Sequence, residues 1–166
     1  MLQLLGEFEC RLDPKGRIMV PSALKKQISS KAEDKFVINR GFEKCLVLFP
    51  WDEWQKESAK VNSLNLYNKK NREFARYFYR GATELSLDNT HRILIPKSLQ
   101  EYAGIDKDII LNAFSNRIEV WSKEAYDAQL ANEPLDFSDL AEEVMGNGLI
   151  SAPINNSKED GGANVS

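Results

Sequence analysis

The sequence predicts an α+β protein made of two tandem copies of one small unit, packed on each other as a pseudo-twofold pair. Three observations predict it. The stretch "LDPKGRIMVPSAL" returns downstream as "LDNTHRILIPKSL", so that Leu12, Asp13, Arg17, Ile18, Pro21 and Leu24 match Leu87, Asp88, Arg92, Ile93, Pro96 and Leu99. Short runs within each copy alternate apolar and polar residues, the period of half-buried strands, beside runs with helical spacing. One copy alone offers about four short strands and a covering helix, too little to close its own core, so a second copy must supply the other wall.

The elements follow in order. "GEFECRL" alternates Phe8, Cys10 and Leu12 with Glu7, Glu9 and Arg11 and reads as a strand. "DPKGR" ends it: Asp13, Pro14 and Gly16 occupy the corners that a type I turn prefers, and Pro14 pushes Asp13 toward an extended backbone. "RIMV" returns as a second strand, which leaves Lys15 on the turn and Arg17 at its exit. Pro21 and Pro96 suit a first helical turn, and Leu24 and Ile28 lie one turn apart, so "PSALKKQI" can cover a sheet and show Lys25 to solvent. "FVINRGFEKCLVLFPWDEW" is strand, hairpin loop, strand and helix start, with Asp52 and Glu53 placed to complement the helix dipole. "IILNAFSNRIEVWSKEAY" repeats it, with Leu48, Phe49 and Trp54 matching Val120, Trp121 and Tyr126.

Between the copies no Pro or Gly interrupts the chain from Trp51 to Arg80, and a helical connector is expected. Arg72, Arg76 and Arg80 share one stripe of it, read as a solvated face or subunit contact ahead of direct DNA contact. Phe74, Tyr77 and Phe78 share another, read as core packing. The expected organisation is a first repeat over 1–60, a connecting helix over 61–80, a second repeat over 81–130 and an acidic tail over 131–166. In the tail "LDFSDLAEEVM" reads as one more acidic helix and "GNGLISAPINNSKEDGGANVS" as a mobile segment.

Charge is divided unevenly: Met1 to Asn132 holds 21 Lys and Arg against 18 Asp and Glu, and the remainder one Lys against seven acids. The overall acidity therefore belongs to the tail and says little about what the body can bind. Cys10 and Cys45 have no CxxC spacing and His91 is the single histidine, so no metal, cofactor or catalytic triad is expected. No glycine-rich phosphate loop is present, and the protein reads as non-enzymatic with no small-molecule substrate. "MLQLLGEF" lacks a basic leader and no run is long enough to span a bilayer, so a cytoplasmic protein without a membrane partner is expected.

Two DxxxR turns, each followed by a short apolar strand and a proline, resemble the MraZ family of bacterial transcriptional regulators. The resemblance rests on "GEFECRLDPKGRIMVP", "CLVLFPWDEW", "REFARYFYRGATELSLDNTHRILIP" and "RIEVWSKEAY", and covers about Met1 to Leu130. It implies two swapped-hairpin, AbrB-like halves forming a pseudo-twofold β-barrel with short covering helices, and homo-oligomeric rings. It also implies binding to double-stranded promoter DNA at tandem direct repeats of the division and cell-wall gene cluster, in the cytoplasm at the nucleoid. The family motif falls on Asp13 and Arg17, with Lys15 and Gly16 matching, and again on Asp88 and Arg92. His91 stands where the family usually has glycine and "NAFSNR" has none at its hairpin; the first departure leaves open whether the second turn is shaped like the first, and Arg17 ranks above Arg92.

The chemistry suits such a role. An arginine fork donates two parallel hydrogen bonds to the O6 and N7 of guanine, or to a phosphate. The candidate DNA-binding residues are Arg17 and Arg92, with Asp13 and Asp88 orienting them and Lys15 neutralising phosphate. Lys25, Lys26 and Lys97 are helix lysines whose simpler reading is solvation, and His91 is first a polar turn residue. Set against this is a turn-locking ion pair that points nowhere, which on an exposed surface stabilises weakly. A ring would add such weak contacts together on repeated sites. Two other readings stand beside it: a structural or adaptor ring whose turns are subunit joints, and an antitoxin-type DNA binder. The latter builds its barrel from two single-copy chains, and the duplication argues against it.

Overall fold

In the computed structural model, which describes residues 3–131 and 137–146, the alternation of "EFECRL" becomes strand β1 (Leu4–Arg11), with even-numbered positions turned inward. The remaining elements appear in the expected order. The first repeat continues through β2 (Arg17–Met19), α1 (Ser22–Lys25), a 3-10 turn (Ser30–Ala32), β3 (Lys35–Arg40), β4 (Leu46–Pro50) and α2 (Trp51–Asn62). After α3 (Lys69–Tyr79), the second runs through β5 (Thr83–Ser86), β6 (Arg92–Leu94), α4 (Lys97–Ala103), β7 (Asp108–Ser115), β8 (Arg117–Ser122) and α5 (Lys123–Ala131).

The strands form a six-stranded antiparallel sheet in the order β1-β7-β8-β4-β3-β5 and a two-stranded ribbon, β2-β6. Exchanging each strand for its counterpart in the other repeat reverses the sheet order and leaves it unchanged, the mark of a pseudo-twofold axis. Register places that axis. Leu46 faces Val120 and Leu48 faces Ile118 around Val47–Glu119, while Arg17 faces Leu94 and Met19 faces Arg92 around Ile18–Ile93. The axis therefore passes through both central pairs.

The outer strand of each repeat pairs with the other repeat: Cys10 faces Ile109 in β7, and Leu85 of β5 faces Phe36 in β3. Ile18, Leu24, Phe36, Ile38 and Leu48 consequently share one core with Ile93, Leu99, Ile109, Leu111 and Val120. Burying a side chain of this class contributes about 1.5–3 kcal/mol, and an isolated repeat would lack the half of this core that the other repeat supplies. The opposite face of the sheet is covered too, by Trp54 of α2 over Val37, Val47 and Phe49, and by Ala125 and Tyr126 of α5 over Ile110 and Trp121. Burial on both faces explains why β4 reads "LVLFP" without alternation.

Three expectations need correction. The expected barrel is not closed: no ladder joins β1 to β2, the isolated Leu12–Ile18 bridge just past β1 being the one pairing there among the described residues, and the three-residue β2 and β6 pair with each other instead of carrying the ladder onward. The expected 61–80 connecting helix is broken between α2 and α3. There the side chains of Asn65 and Asn68 accept hydrogen bonds from Tyr67 N (3.0 Å) and Asn71 N (3.1 Å), offering the backbone a local alternative to the helix. Phe78 stacks on Trp54 with centroids 5.4 Å apart, but Phe74 and Tyr77, expected in the core, are 45% and 70% exposed. Of the arginine stripe, Arg72 closes the break by donating to Leu66 O and Tyr67 O.

The segment beyond α5 is described by itself: helix α6 (Phe137–Ala141) continues as a π-helical turn over Glu142–Gly146, the acidic helix read from the sequence. The expected mobile segment lies, beyond Gly146, outside the described residues. No helix among the described residues is long and apolar enough to cross a membrane.

Candidate functional site

The site begins with the backbone of the first turn. Gly16 N donates to Asp13 O (2.9 Å) and Asp13 N to Arg17 O (2.9 Å), the closed β-turn expected of "DPKG", whose fourth residue, Gly16, is left-handed at φ 88°. The Asp13 carboxylate then organises the loop from within. Its Oδ1 accepts from Lys15 N and Arg17 N, both at 2.9 Å, and its Oδ2 accepts from Arg17 Nε at 2.8 Å.

The second turn has the same frame. His91 N donates to Asp88 O (3.0 Å) and Asp88 N to Arg92 O (2.9 Å). Asp88 Oδ1 accepts from Thr90 N and Arg92 N at 2.9 Å, and Oδ2 from Arg92 Nε at 3.0 Å. His91 adopts φ 62°, so it occupies the left-handed position that Gly16 fills in the first copy. The second turn thus has the shape of the first despite the departure at His91, and shape gives no ground for ranking Arg17 above Arg92. Where the turns do differ is charge: Thr90 stands at the place of Lys15 and spends its hydroxyl on Asp88 Oδ1 (3.0 Å).

These hydrogen bonds stabilise the ionised carboxylates. The backbone N–H of Arg92, then the N–H and hydroxyl of Thr90 and the Arg92 side chain, hold Asp88 down at about 2. The Arg17 backbone N–H, with the Arg17 side chain and the Lys15 N–H, likewise lowers Asp13. Both carboxylates are charged at any physiological pH and hold their arginines in one orientation.

The ribbon brings the turns together. Arg92 Nη1 lies 3.8 Å from Asp13 Oδ2, so the two DxxxR units of the chain meet at the axis. Arg17 and Arg92 side chains remain 27% and 30% exposed, and among the described residues nothing accepts from either Nη of Arg17. Lys15 is exposed at its turn, and Arg11, Lys97 and Lys107 line a depression of about 510 Å³ with it, Asp13 and Asp106 adding two opposing charges. Arg11 is paired to Asp108 at 3.2 Å, and Lys25 is paired to Asp34 at 3.7 Å.

Two residues of this face are absent from the sequence-derived candidates. Met19 and Leu94 share the outward side of the ribbon with Arg17 and Arg92 and are 57% and 55% exposed. The signal was present in "RIMV" and "RILI", where alternation puts residues 17 and 19, and 92 and 94, on one side. The set as a whole presents two carboxylate-held arginine forks with Lys15 exposed at the first turn, an arrangement that can donate to acceptor atoms on an anionic surface.

Comparison with known proteins agrees with the doubled motif. Residues 3–77 and 78–147 each match the family described as "MraZ protein, putative antitoxin-like". The chain is 47% identical over 148 residues to the protein named Transcriptional regulator MraZ of Christiangramia forsetii, covering 89% of this chain and 96% of that one. It is 44% identical to the protein of the same name from Flavobacterium psychrophilum, covering 89% and 94% of the two chains. For the protein of that name from Clostridium beijerinckii the identity is 41%, over 87% and 99%.

Proposed function

The chain belongs to the MraZ family, and from that premise we propose that it is a transcriptional regulator that binds double-stranded promoter DNA sequence-specifically through its two DxxxR turns. The observation that carries the reading is the pair of carboxylate-oriented arginines, Arg17 and Arg92, side by side on one exposed face. The relatives' name supports a regulatory, non-enzymatic role. Arg17 and Arg92 read guanine edges in the major groove, Asp13 and Asp88 fix their rotamers, and Lys15, with Lys97 and Lys107 nearby, neutralises phosphate.

Copies of the chain assemble into a ring, and the ring binds tandem direct repeats upstream of the division and cell-wall cluster, at the nucleoid. Self-association draws support from a groove of about 590 Å³ whose lining includes the exposed aromatics Phe42, Phe74 and Tyr77. The halves, 1–60 and 81–130 joined through 61–80 and followed by a tail over 131–166, are of the swapped-hairpin type. The pairing of β1 with β7 and of β5 with β3 supports that description.

A second reading, an adaptor ring whose turns are joints, draws on the Asp13–Arg92 contact, although that contact joins repeats within one chain. Salt-titrated binding to the chain's own upstream region separates them, with subunit mass followed by light scattering. The affinity of the wild type falls steeply with salt, and Arg17→Ala and Arg92→Ala each lose roughly tenfold or more at unchanged mass. A wild type that ignores DNA, or an Arg17→Ala ring that falls apart, would put the adaptor reading in its place.

A further inference from the structure

The β2-β6 ribbon presents more than its arginines. Ile18 and Ile93 face each other at its centre and are 1% and 2% exposed, so the strand period forces residues 17, 19, 92 and 94 to the other side. Val20 N donates to His91 O and Ile95 N to Gly16 O, each at 2.9 Å, which sets the hydrogen-bonded positions of the ladder. Arg17–Leu94 and Met19–Arg92 are therefore the non-hydrogen-bonded pairs, in which facing side chains approach most closely. Each arginine has a large apolar side chain beside it, the thioether of Met19 or the branched alkyl group of Leu94, and the axis repeats the arrangement.

Exposed two-stranded ribbons ordinarily carry polar or charged residues outward, since an apolar outward face invites unwanted pairing. Here both repeats place a large apolar side chain at the equivalent position, beside an arginine that a carboxylate holds in place. The charge around it selects an anionic partner, and the apolar pair requires that partner to offer hydrocarbon at the depth the arginines reach. The major groove of DNA does both: it admits a two-stranded ribbon, and the thymine C5-methyl group projects into it beside the acceptors of the purines.

We propose that Met19 and Leu94 contact thymine methyl groups, making the ribbon face a second determinant of sequence specificity beside Arg17 and Arg92. The inference rests on the DNA-binding reading above. Leu94 next to Arg17 and Met19 next to Arg92 then favour sites in which a thymine lies beside a guanine on each strand, related by the axis through Ile18–Ile93.

The test replaces every thymine of the upstream DNA by deoxyuracil, which removes the methyl groups and leaves charge and hydrogen bonding intact. At fixed salt the wild type binds the deoxyuracil DNA about fourfold more weakly for each thymine methyl group that the ribbon touches. Met19→Ala and Leu94→Ala weaken binding to thymine DNA by a similar factor and bring the thymine-to-deoxyuracil ratio toward one, while Met19→Leu retains it. Lys15→Ala weakens binding to both DNAs equally. A wild-type ratio of one, or a ratio unchanged in both alanine variants, overturns the inference while DNA binding itself stands. Failure of the wild type to bind thymine DNA overturns the functional reading with it. A change of subunit mass in Met19→Ala assigns the face to contact between copies and overturns it as well.

Discussion

Asp13 Oδ2 accepts a hydrogen bond from Arg17 in its own turn at 2.8 Å and lies 3.8 Å from Nη1 of Arg92, which belongs to the other repeat. One carboxylate therefore acts on both arginines of the proposed DNA-binding face. The sequence places the two motifs far apart, and the ribbon register that sets Arg17 and Arg92 diagonally across the axis brings them together.

This asymmetry predicts unequal effects from equivalent substitutions. Asn in place of Asp retains an oxygen for the backbone N–H groups of the turn but loses the charge that holds the guanidinium. Asp13→Asn is expected to weaken DNA binding more than Asp88→Asn, by about twofold, since it frees Arg17 and also removes the second carboxylate contact of Arg92, which Asp88 continues to hold. Equal losses in a fluorescence-anisotropy titration would mean that the 3.8 Å contact does not constrain Arg92.

The turns also set an acid limit. Asp88 is held at about 2 and Asp13 is lowered, against about 4 for an unfolded aspartate. A depressed folded value stabilises the native turn at every pH above the unfolded value, and that contribution disappears as pH falls from about 4 toward about 2. Carboxyl carbon shifts followed by NMR are expected to show Asp88 titrating near 2 and Asp13 below its ordinary range. Midpoints near 4 would show that the turn hydrogen bonds are not formed in solution.

His91 at φ 62° and Gly16 at φ 88° occupy the same left-handed position. A side chain there costs about 1–2 kcal/mol, while glycine costs about 0.5–1 kcal/mol through the freedom of the unfolded chain. His91→Gly is thus expected to stabilise the protein by about 0.5–1 kcal/mol in urea denaturation. Gly16→Ala is expected to destabilise it by about 1 kcal/mol. Its methyl group would lie 2.6 Å from Gln100 Nε2, disturbing the bond that Nε2 donates to Ile95 O. A loss of stability in His91→Gly would contradict this account.

Ile18 and Ile93 face each other on the axis and share the central core. Ile18→Ala and Ile93→Ala are each expected to cost about 2–5 kcal/mol. Because the truncations open adjoining space, the double variant is expected to depart from the sum by at least about 0.5 kcal/mol. Additive losses in denaturation would show two separate half-cores, contrary to the shared one described above.

Whatever depends on near neighbours was legible in the amino-acid order alone. Matching Leu12 through Leu24 to Leu87 through Leu99 revealed the repeat, its element order and the two Asp–Arg turns, because turn hydrogen bonds and strand alternation join residues a few positions apart. Even the conformation at His91 was implied by its alignment with Gly16, although glycine's absence there left the shape of the turn open. Tertiary packing chose the partners: β1 with β7 and β5 with β3, the open sheet in place of a closed barrel, and the break at Asn65 and Asn68. It also brought Asp13 within reach of Arg92 and set Met19 and Leu94 beside the arginines. The reason is that a strand's own alternation states which face is apolar but not which distant apolar face will cover it, a choice made only when both repeats bury their side chains in one core.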